Sequence, residues 1–288
     1  MRKKPLLPTN DFVFKKVFGE NMTVLGDFLK AVLDLPIDEY QGLIVVDPHL
    51  RRENIEDKLG ILDIKIKTKS QKTIDVEVQV KAQPSIWKRM QYYTAKMLIE
   101  QVQSGNKYEQ LTKAISILIA DFVLVKENDA YHNCFRLHDE RTQARFPDSI
   151  EVNILEIPKV GEEDRSQLSN WLKFFAAKTE EEFMAISQTN PAIAEAWGVI
   201  KVLSADEEAR LLAESREKAR MDFEDRYDGA YHEGEQKGRR EGEQIGEQKG
   251  RREVALNLLR DGIPVEVVAK NTGLSLDEIK QLAAERAR

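Results

Sequence analysis

One cysteine, Cys134, stands in a chain of 288 residues. A single thiol excludes an intramolecular disulfide and a cysteine-based zinc cluster, and it fits a reducing compartment. No run of 18 apolar residues occurs, so the sequence offers no span for a membrane. Met1-Arg2-Lys3-Lys4-Pro5 is a basic start with no apolar segment behind it, so no secretory signal is read and a cytoplasmic location is expected. The histidines, His49, His132, His138 and His232, are scattered, and no pair has the spacing of helical metal ligands. The GxSxG, Walker A and GxGxxG patterns are missing, which removes the commonest routes to acyl hydrolysis, NTP hydrolysis and dinucleotide binding. An overall excess of positive charge is missing too. Lys and Arg number 44 against 50 Asp and Glu, a formal net charge of -6, whereas dedicated nucleic-acid binders are usually basic.

What is present suffices for one good-sized domain and an appendage. Apolar residues make up 41% of the chain, enough for a real core. Phe12, Val13, Val17 and Phe18, then Val24, Leu25, Phe28 and Leu29, predict two short helices over residues 9–35, with Gly19 stopping the first and Asn21 capping the second. Leu43 to Val46 reads as a short strand ended by Asp47-Pro48. Pro84 opens a helix to about Gln103, with Gly105 as its stop. Strands are predicted at Ile115–Val125, around Cys134–Leu137 and at Ile150–Ile157, then helices over 165–222 with Trp171, Phe175 and Trp197 as buried anchors. This order implies an α/β (α+β) core, a mixed sheet with helices on its faces.

Residues 61–80 are the most informative. Leu62, Ile64 and Ile66 alternate with Asp63, Lys65 and Lys67; Ile74, Val76 and Val78 alternate with Asp75, Glu77 and Gln79. Period-two alternation with β-branched residues predicts two strands. Glu77 and Gln79, two apart, project from one side of a strand. If Thr68 pairs with Lys72, Asp63 falls opposite Glu77, with Cβ atoms about 5 Å apart. Carboxylates that close repel, and a divalent cation between them resolves the conflict; Mg²⁺ favours one or two carboxylates with waters and phosphate oxygens. From Asp63 to Lys96 eight Lys and Arg stand against three acids, a local net charge of +5 in an acidic protein. Lys65, Lys81 and Arg89 are the candidate phosphate contacts. Asp11 and Glu20 are further candidate carboxylates. The same alternation is also the pattern of a plain solvated strand face, on which replacing Asp63 or Glu77 by alanine would leave folding nearly intact.

The composition changes near residue 229. Glycines fall at 234, 238, 242, 246 and 250 among Glu, Gln, Lys and Arg. Five glycines cost a helix about 5 kcal/mol against alanine, so the segment is either a helix whose glycine stripe admits another helix or a solvated helical spacer. Beyond it, Ala255, Leu258 and Leu259, Pro264 with Val267 and Val268, and Ser275 with Glu278 as a capping box outline a helix-turn-helix. Leu276, Asp277 and Glu278 occupy the start of its last helix, where base-reading residues would lie, so DNA binding and dimerisation remain open alternatives. Three parts are expected: 1–228 (core about 8–160, helical part 165–225), a charged linker 229–253, and a small helical unit 254–288. The tail is expected to self-associate.

Several stretches together carry a resemblance. Leu59-Gly60-Ile61-Leu62-Asp63-Ile64 and Ile74-Asp75-Val76-Glu77-Val78-Gln79 are joined by Thr9 to Gly19, Lys88-Arg89-Met90-Gln91-Tyr92-Tyr93, Gly105-Asn106-Lys107-Tyr108 and Ile115 to Phe122. The glycine repeat and Thr272-Gly273-Leu274-Ser275 complete the set. In this order they resemble the PD-(D/E)XK nuclease-family transposases, the recombination-promoting nucleases, over most of the chain. The resemblance implies a restriction-endonuclease-like mixed sheet flanked by helices, with Asp63 and Glu77 as ligands of Mg²⁺ or Mn²⁺ and the backbone carbonyl of Val78 beside them. It implies a bacterial DNA endonuclease tied to recombination or mobile elements. The alternative is a non-catalytic DNA-binding or assembly protein that kept the fold. Gln79 stands where the wider superfamily usually has Lys; its amide orients a water but carries no charge.

Overall fold

The computed structural model describes residues 4–46, 64–102, 107–146 and 149–285. They belong to two units, Met1–Lys218 and Ala219–Arg288. Among the described residues no helix is long and apolar enough to cross a membrane.

The two alternating runs pair as an antiparallel hairpin. Strand β2 (Ile64–Lys67) meets β3 (Thr73–Gln79) with Ile64 opposite Val76 and Lys67 opposite Thr73. The amide of Thr68 donates to the carbonyl of Lys72 at 3.0 Å, the closure on which the expected register depended. Asp63 itself lies outside the described residues. Glu39 holds this turn from a 3-10 turn at Ile37–Gly42. It accepts from the Ser70 amide at 3.1 Å and the Ser70 hydroxyl at 2.6 Å, and it pairs with Lys72. Burial alone would raise its pKa; the Lys72 ammonium and the Ser70 donors more than offset this and hold it at about 2. A carboxylate depressed by folding stabilises the fold above its ordinary range, and that stabilisation is lost as pH falls from about 4.5 toward 2. In an acid titration, Glu39→Gln should therefore be less stable than wild type at neutral pH, and the difference should vanish across that window. A constant difference would deny Glu39 this role.

Six strands form one sheet among the described residues, in the order β1-β2-β3-β4-β6-β5. β1 (Ile44–Val46) lies antiparallel to β2; β3, β4 (Ala114–Ala120) and β6 (Ile150–Glu156) are mutually parallel; β5 (His132–Arg136) closes the other edge antiparallel to β6. One face carries Ile64, Ile66, Ile74, Val76, Ile115, Ile117, Ile119 and Leu155 into the main core. Helices α1 (Asp11–Phe14), α2 (Met22–Val32), α4 (Gln167–Ala176), α5 (Glu180–Ser187) and α6 (Pro191–Ala205) supply its other side. Asn21 caps α2 as expected, accepting from the Thr23 and Val24 amides at 3.1 Å. Trp171, Phe175 and Trp197 are buried. Asp27 ties this layer together, accepting from Trp171 Nε1 at 2.9 Å and Asn190 Nδ2 at 2.7 Å. On the opposite face α3 (Ile86–Ile99) packs Ile86 and Met90 against Leu118, Ala120 and Ile154. The result is the α/β, restriction-endonuclease-like sheet with helices on both faces.

Some element ends differ from expectation. The helix expected to reach Gln103 stops at Ile99, because the Gln101 side chain bonds both the amide and the carbonyl of Thr112, at 2.8 and 3.2 Å. Gly105, its expected stop, lies outside the described residues. β4 ends at Ala120 rather than Val125, since the amides of Leu124 and Val125 turn to Glu156 Oε1 at 2.6 and 3.0 Å. Beyond Phe14 the first helix continues as a π-turn over Lys15–Gly19.

Helix α7 (Glu207–Arg260) runs for 54 residues, with no break at 228 or at 253. Pairs such as Lys237–Glu241 at 3.9 Å and Arg239–Glu243 at 3.8 Å add about 0.2–0.5 kcal/mol each. At every glycine from Gly229 to Gly250 an added Cβ would meet no described atom within 4 Å. In the second unit the end of α7 packs with α8 (Val265–Thr272) and α9 (Leu276–Glu285) around Ala255, Val268, Ile279 and Leu282. Gly273 ends α8 in the left-handed region at φ 70°, and the expected capping box forms between Ser275 and Glu278.

Candidate active site

β3 is a two-faced strand. Ile74 and Val76 enter the main core, so the intervening Asp75 and Glu77 point to the face covered by α3. In the parallel register Glu77 lies beside Leu118 and Gln79 beside Ala120. The amide of Asp121 continues the ladder to the carbonyl of Gln79 at 2.9 Å. Glu77 is only 7% exposed, so it does not lie on the solvated face that a bare alternation would suggest.

Its carboxylate is occupied on one oxygen. Gln79 Nε2 donates to Glu77 Oε1 at 2.6 Å, and Arg89 Nη2 of α3 forms an ion pair with the same oxygen. Arg89 Nη1 makes a longer bond to Gln83 Oε1 at 3.5 Å. A buried carboxylate is tolerated only when paired and hydrogen-bonded, and here a guanidinium and an amide do both. The burial also changes one expectation. Glu77→Ala would strand Arg89, so it is not a neutral surface change; Glu77→Gln keeps an oxygen for Arg89 and is the gentler control.

The other sequence candidates fall in several places. Lys65 pairs with Asp75 in the strand register, and its ammonium meets Glu100 Oε2 at 2.6 Å. Lys81 is exposed just beyond β3. Glu20 is bound to Lys16 at 2.6 Å, and Asp11 stands 3.9 Å from Arg216. Val78 faces the core with its side chain. Beneath α3, the Thr94 and Ser116 hydroxyls meet at 2.7 Å. Asp121 went unnoticed in the sequence; burial pushes its carboxyl up, opposed by Lys178. The parallel pairing of β3 with β4, invisible in either run alone, brings only its backbone amide to the Gln79 carbonyl.

Asp63 lies outside the described residues, and among the described residues no group of three or more His, Cys, Asp and Glu is arranged to hold a metal. The donor that is present suits a hard cation. The Glu77 carboxylate supplies oxygen, the element that Mg²⁺ and Mn²⁺ select.

A second buried charge cluster sits at the β5–β6 edge. Glu151 accepts from Lys113 at 2.6 Å, Arg136 Nε at 2.7 Å and Asn153 at 2.8 Å. Burial alone would raise its pKa; these donors together hold it below the usual range. The cluster fastens the edge strand.

A family model described as PD-(D/E)XK nuclease family transposase matches residues 8–230. A second, described as the Rpn/YhgA-like nuclease family, C-terminal HTH domain, matches residues 248–284. No curated protein and no solved structure matches. The first match spans most of the chain and contains the whole β2–β3 hairpin with Glu77 and Gln79, and the second covers the packed end of α7 with α8 and α9. The chain therefore belongs to the PD-(D/E)XK nuclease family of transposases and carries that family's C-terminal helix-turn-helix domain.

Proposed function

We propose that the chain is a divalent-metal-dependent DNA endonuclease whose site is Asp63, Glu77 and Gln79. The observation that carries this reading is the adjacency of Glu77 and Gln79 on the α3-facing side of β3, in a buried setting where a carboxylate needs a cation. Asp63 lies outside the described residues and enters on the sequence expectation that it falls opposite Glu77. Asp63 and Glu77 would hold Mg²⁺ or Mn²⁺, with the Val78 carbonyl beside them. When bound, such a cation makes a hydroxide-like nucleophile accessible near neutral pH and neutralises charge on a phosphoryl group. Gln79 gives its N–H to Glu77 and keeps its amide oxygen to accept from the attacking water. Arg89, whose fork of donors matches phosphate, is the strongest candidate for contact with the scissile group; Lys65 and Lys81 would add positive potential along the strand.

The direct test is supercoiled plasmid incubated with the purified protein in Mg²⁺, Mn²⁺, Ca²⁺ or EDTA. Nicking in Mg²⁺ or Mn²⁺ that EDTA stops is expected. Equal nicking in EDTA would remove the metal-dependent reading.

The domain division follows the same reading: a nuclease domain over 1–228, a charged helical stretch over 229–253 and a helix-turn-helix unit over 254–288. Self-association through the exposed glycine face of α7 and the last two helices would let paired nuclease domains engage two DNA segments with avidity. Sedimentation of the full chain beside a 1–228 truncation checks it. The full chain should sediment as an oligomer and the truncation as a monomer; equal mass per chain would exclude the tail as the cause.

A further inference from the structure

Arg89 holds one oxygen of the carboxylate that would take a cation. Its Nη2 and Gln79 Nε2 both converge on Glu77 Oε1. Nothing else described at this carboxylate carries positive charge into it, so Arg89 neutralises a group that is 7% exposed. A divalent cation bound to Glu77 takes over that neutralisation, and a guanidinium left against it is repelled. The ion pair and the metal are therefore competing ways of satisfying one carboxylate.

Arg89 is suited to leave. Its side chain is 23% exposed, and its other side-chain contact among the described residues, to Gln83, is a long bond. It sits in the first turn of α3 beside exposed Lys88, and exposed Lys81 lies just past β3. A phosphate arriving there offers Arg89 two parallel charge-assisted bonds in place of one carboxylate oxygen.

We propose that Arg89 switches anions, neutralising Glu77 in the free protein and passing to a DNA phosphate when duplex binds, so that DNA and divalent metal load the site cooperatively. This rests on the metal-dependent reading above. The cost of the switch is met only when both partners are present: metal alone displaces Arg89 with nowhere favourable to go, and phosphate alone strips Glu77 of its counter-ion. Linkage requires the effect to be reciprocal, with each ligand tightening the other by the same factor.

The experiment is calorimetric titration of Mn²⁺ into the full-length protein, alone and with a phosphorothioate duplex that resists cleavage. Wild type, Arg89→Gln, Arg89→Lys and Glu77→Ala are compared at fixed ionic strength, and Glu77→Ala with duplex is the blank for Mn²⁺ held by DNA. Duplex should tighten Mn²⁺ binding to wild type on the order of tenfold. Arg89→Gln should bind Mn²⁺ tighter than wild type without duplex and gain little from adding it. Arg89→Lys, which keeps the charge but loses the fork, should fall between. The wild-type comparison needs no substitution, so a poorly folded variant does not rescue the idea. If duplex leaves wild-type Mn²⁺ affinity unchanged, or Arg89→Gln retains the full gain, the switch is wrong while the metal site stands. If wild type binds no Mn²⁺ in either condition, the metal-dependent reading falls and the switch with it.

Discussion

Plasmid nicking should disappear when either Asp63 or Glu77 is replaced by alanine. Groups that merely orient metal ligands already cost about 10- to 100-fold when removed, and losing one of two carboxylates should exceed that, because a single carboxylate holds Mg²⁺ poorly. The two positions differ in their side effects. Glu77 is buried against Arg89, so Glu77→Ala also unpairs a half-buried cation. Glu77→Gln separates the two consequences: it should cut no better than Glu77→Ala while melting closer to wild type. Gln79→Ala should slow nicking less than either carboxylate change, since an amide that orients water contributes less than the ligands that hold the cation; Gln79→Lys is expected to raise the rate by adding charge. The decisive assay is nicking by matched, folded preparations. Wild-type rates from both alanine variants would move the activity elsewhere in the chain or out of it altogether.

Phe18→Ala should be the most destabilising single change in the nuclease unit, at about 3–5 kcal/mol. Phe18 is fully buried and touches four other rings: Phe14 at 4.9 Å, Phe28 at 5.6 Å, Trp171 at 5.5 Å and Phe175 at 5.3 Å between centroids. It joins the π-turn, α2 and α4 where they meet over the sheet. Its removal leaves a cavity among rigid aromatic neighbours that relax little. Urea unfolding followed by tryptophan fluorescence measures the loss; a change below about 1 kcal/mol would mean that this aromatic cluster is not what holds the helical layer. The resemblance of residues 9–19 to a family motif thus has a packing explanation, since Val13, Phe14, Val17 and Phe18 are all fully buried.

What was readable in the sequence was what is local. The strand alternation, the Thr68–Lys72 closure, the Asn21 cap and the Ser275–Glu278 box each depend on residues within a few positions of one another, where period and hydrogen-bond chemistry decide the outcome. What was not readable is what joins distant segments. Arg89 was a plausible phosphate contact from its place in a helix, but nothing in the sequence set it against Glu77; that needed α3 to pack across β3 and β4. Glu39 meets the hairpin turn at Ser70, 31 residues further along the chain, a meeting that no local pattern announces. The burial of Glu77 escaped for the same reason, since alternation identifies two faces of a strand but not what covers the second. The length of α7 escaped differently: a helical stretch was expected over 229–253, but not that it would run on unbroken from Glu207 to Arg260.

β3 uses both of its faces, one for the core and the other for chemistry. A frame of this kind treats two sorts of inherited change very differently. Exchanging one side chain alters one face at one rung. Adding or deleting a single residue within Thr73–Gln79 rotates everything downstream by half a turn. Val76 would then face α3, and the acids would be driven among Phe14, Phe18 and Trp171. Lineages carrying this strand can therefore drift in its composition while its length stays fixed.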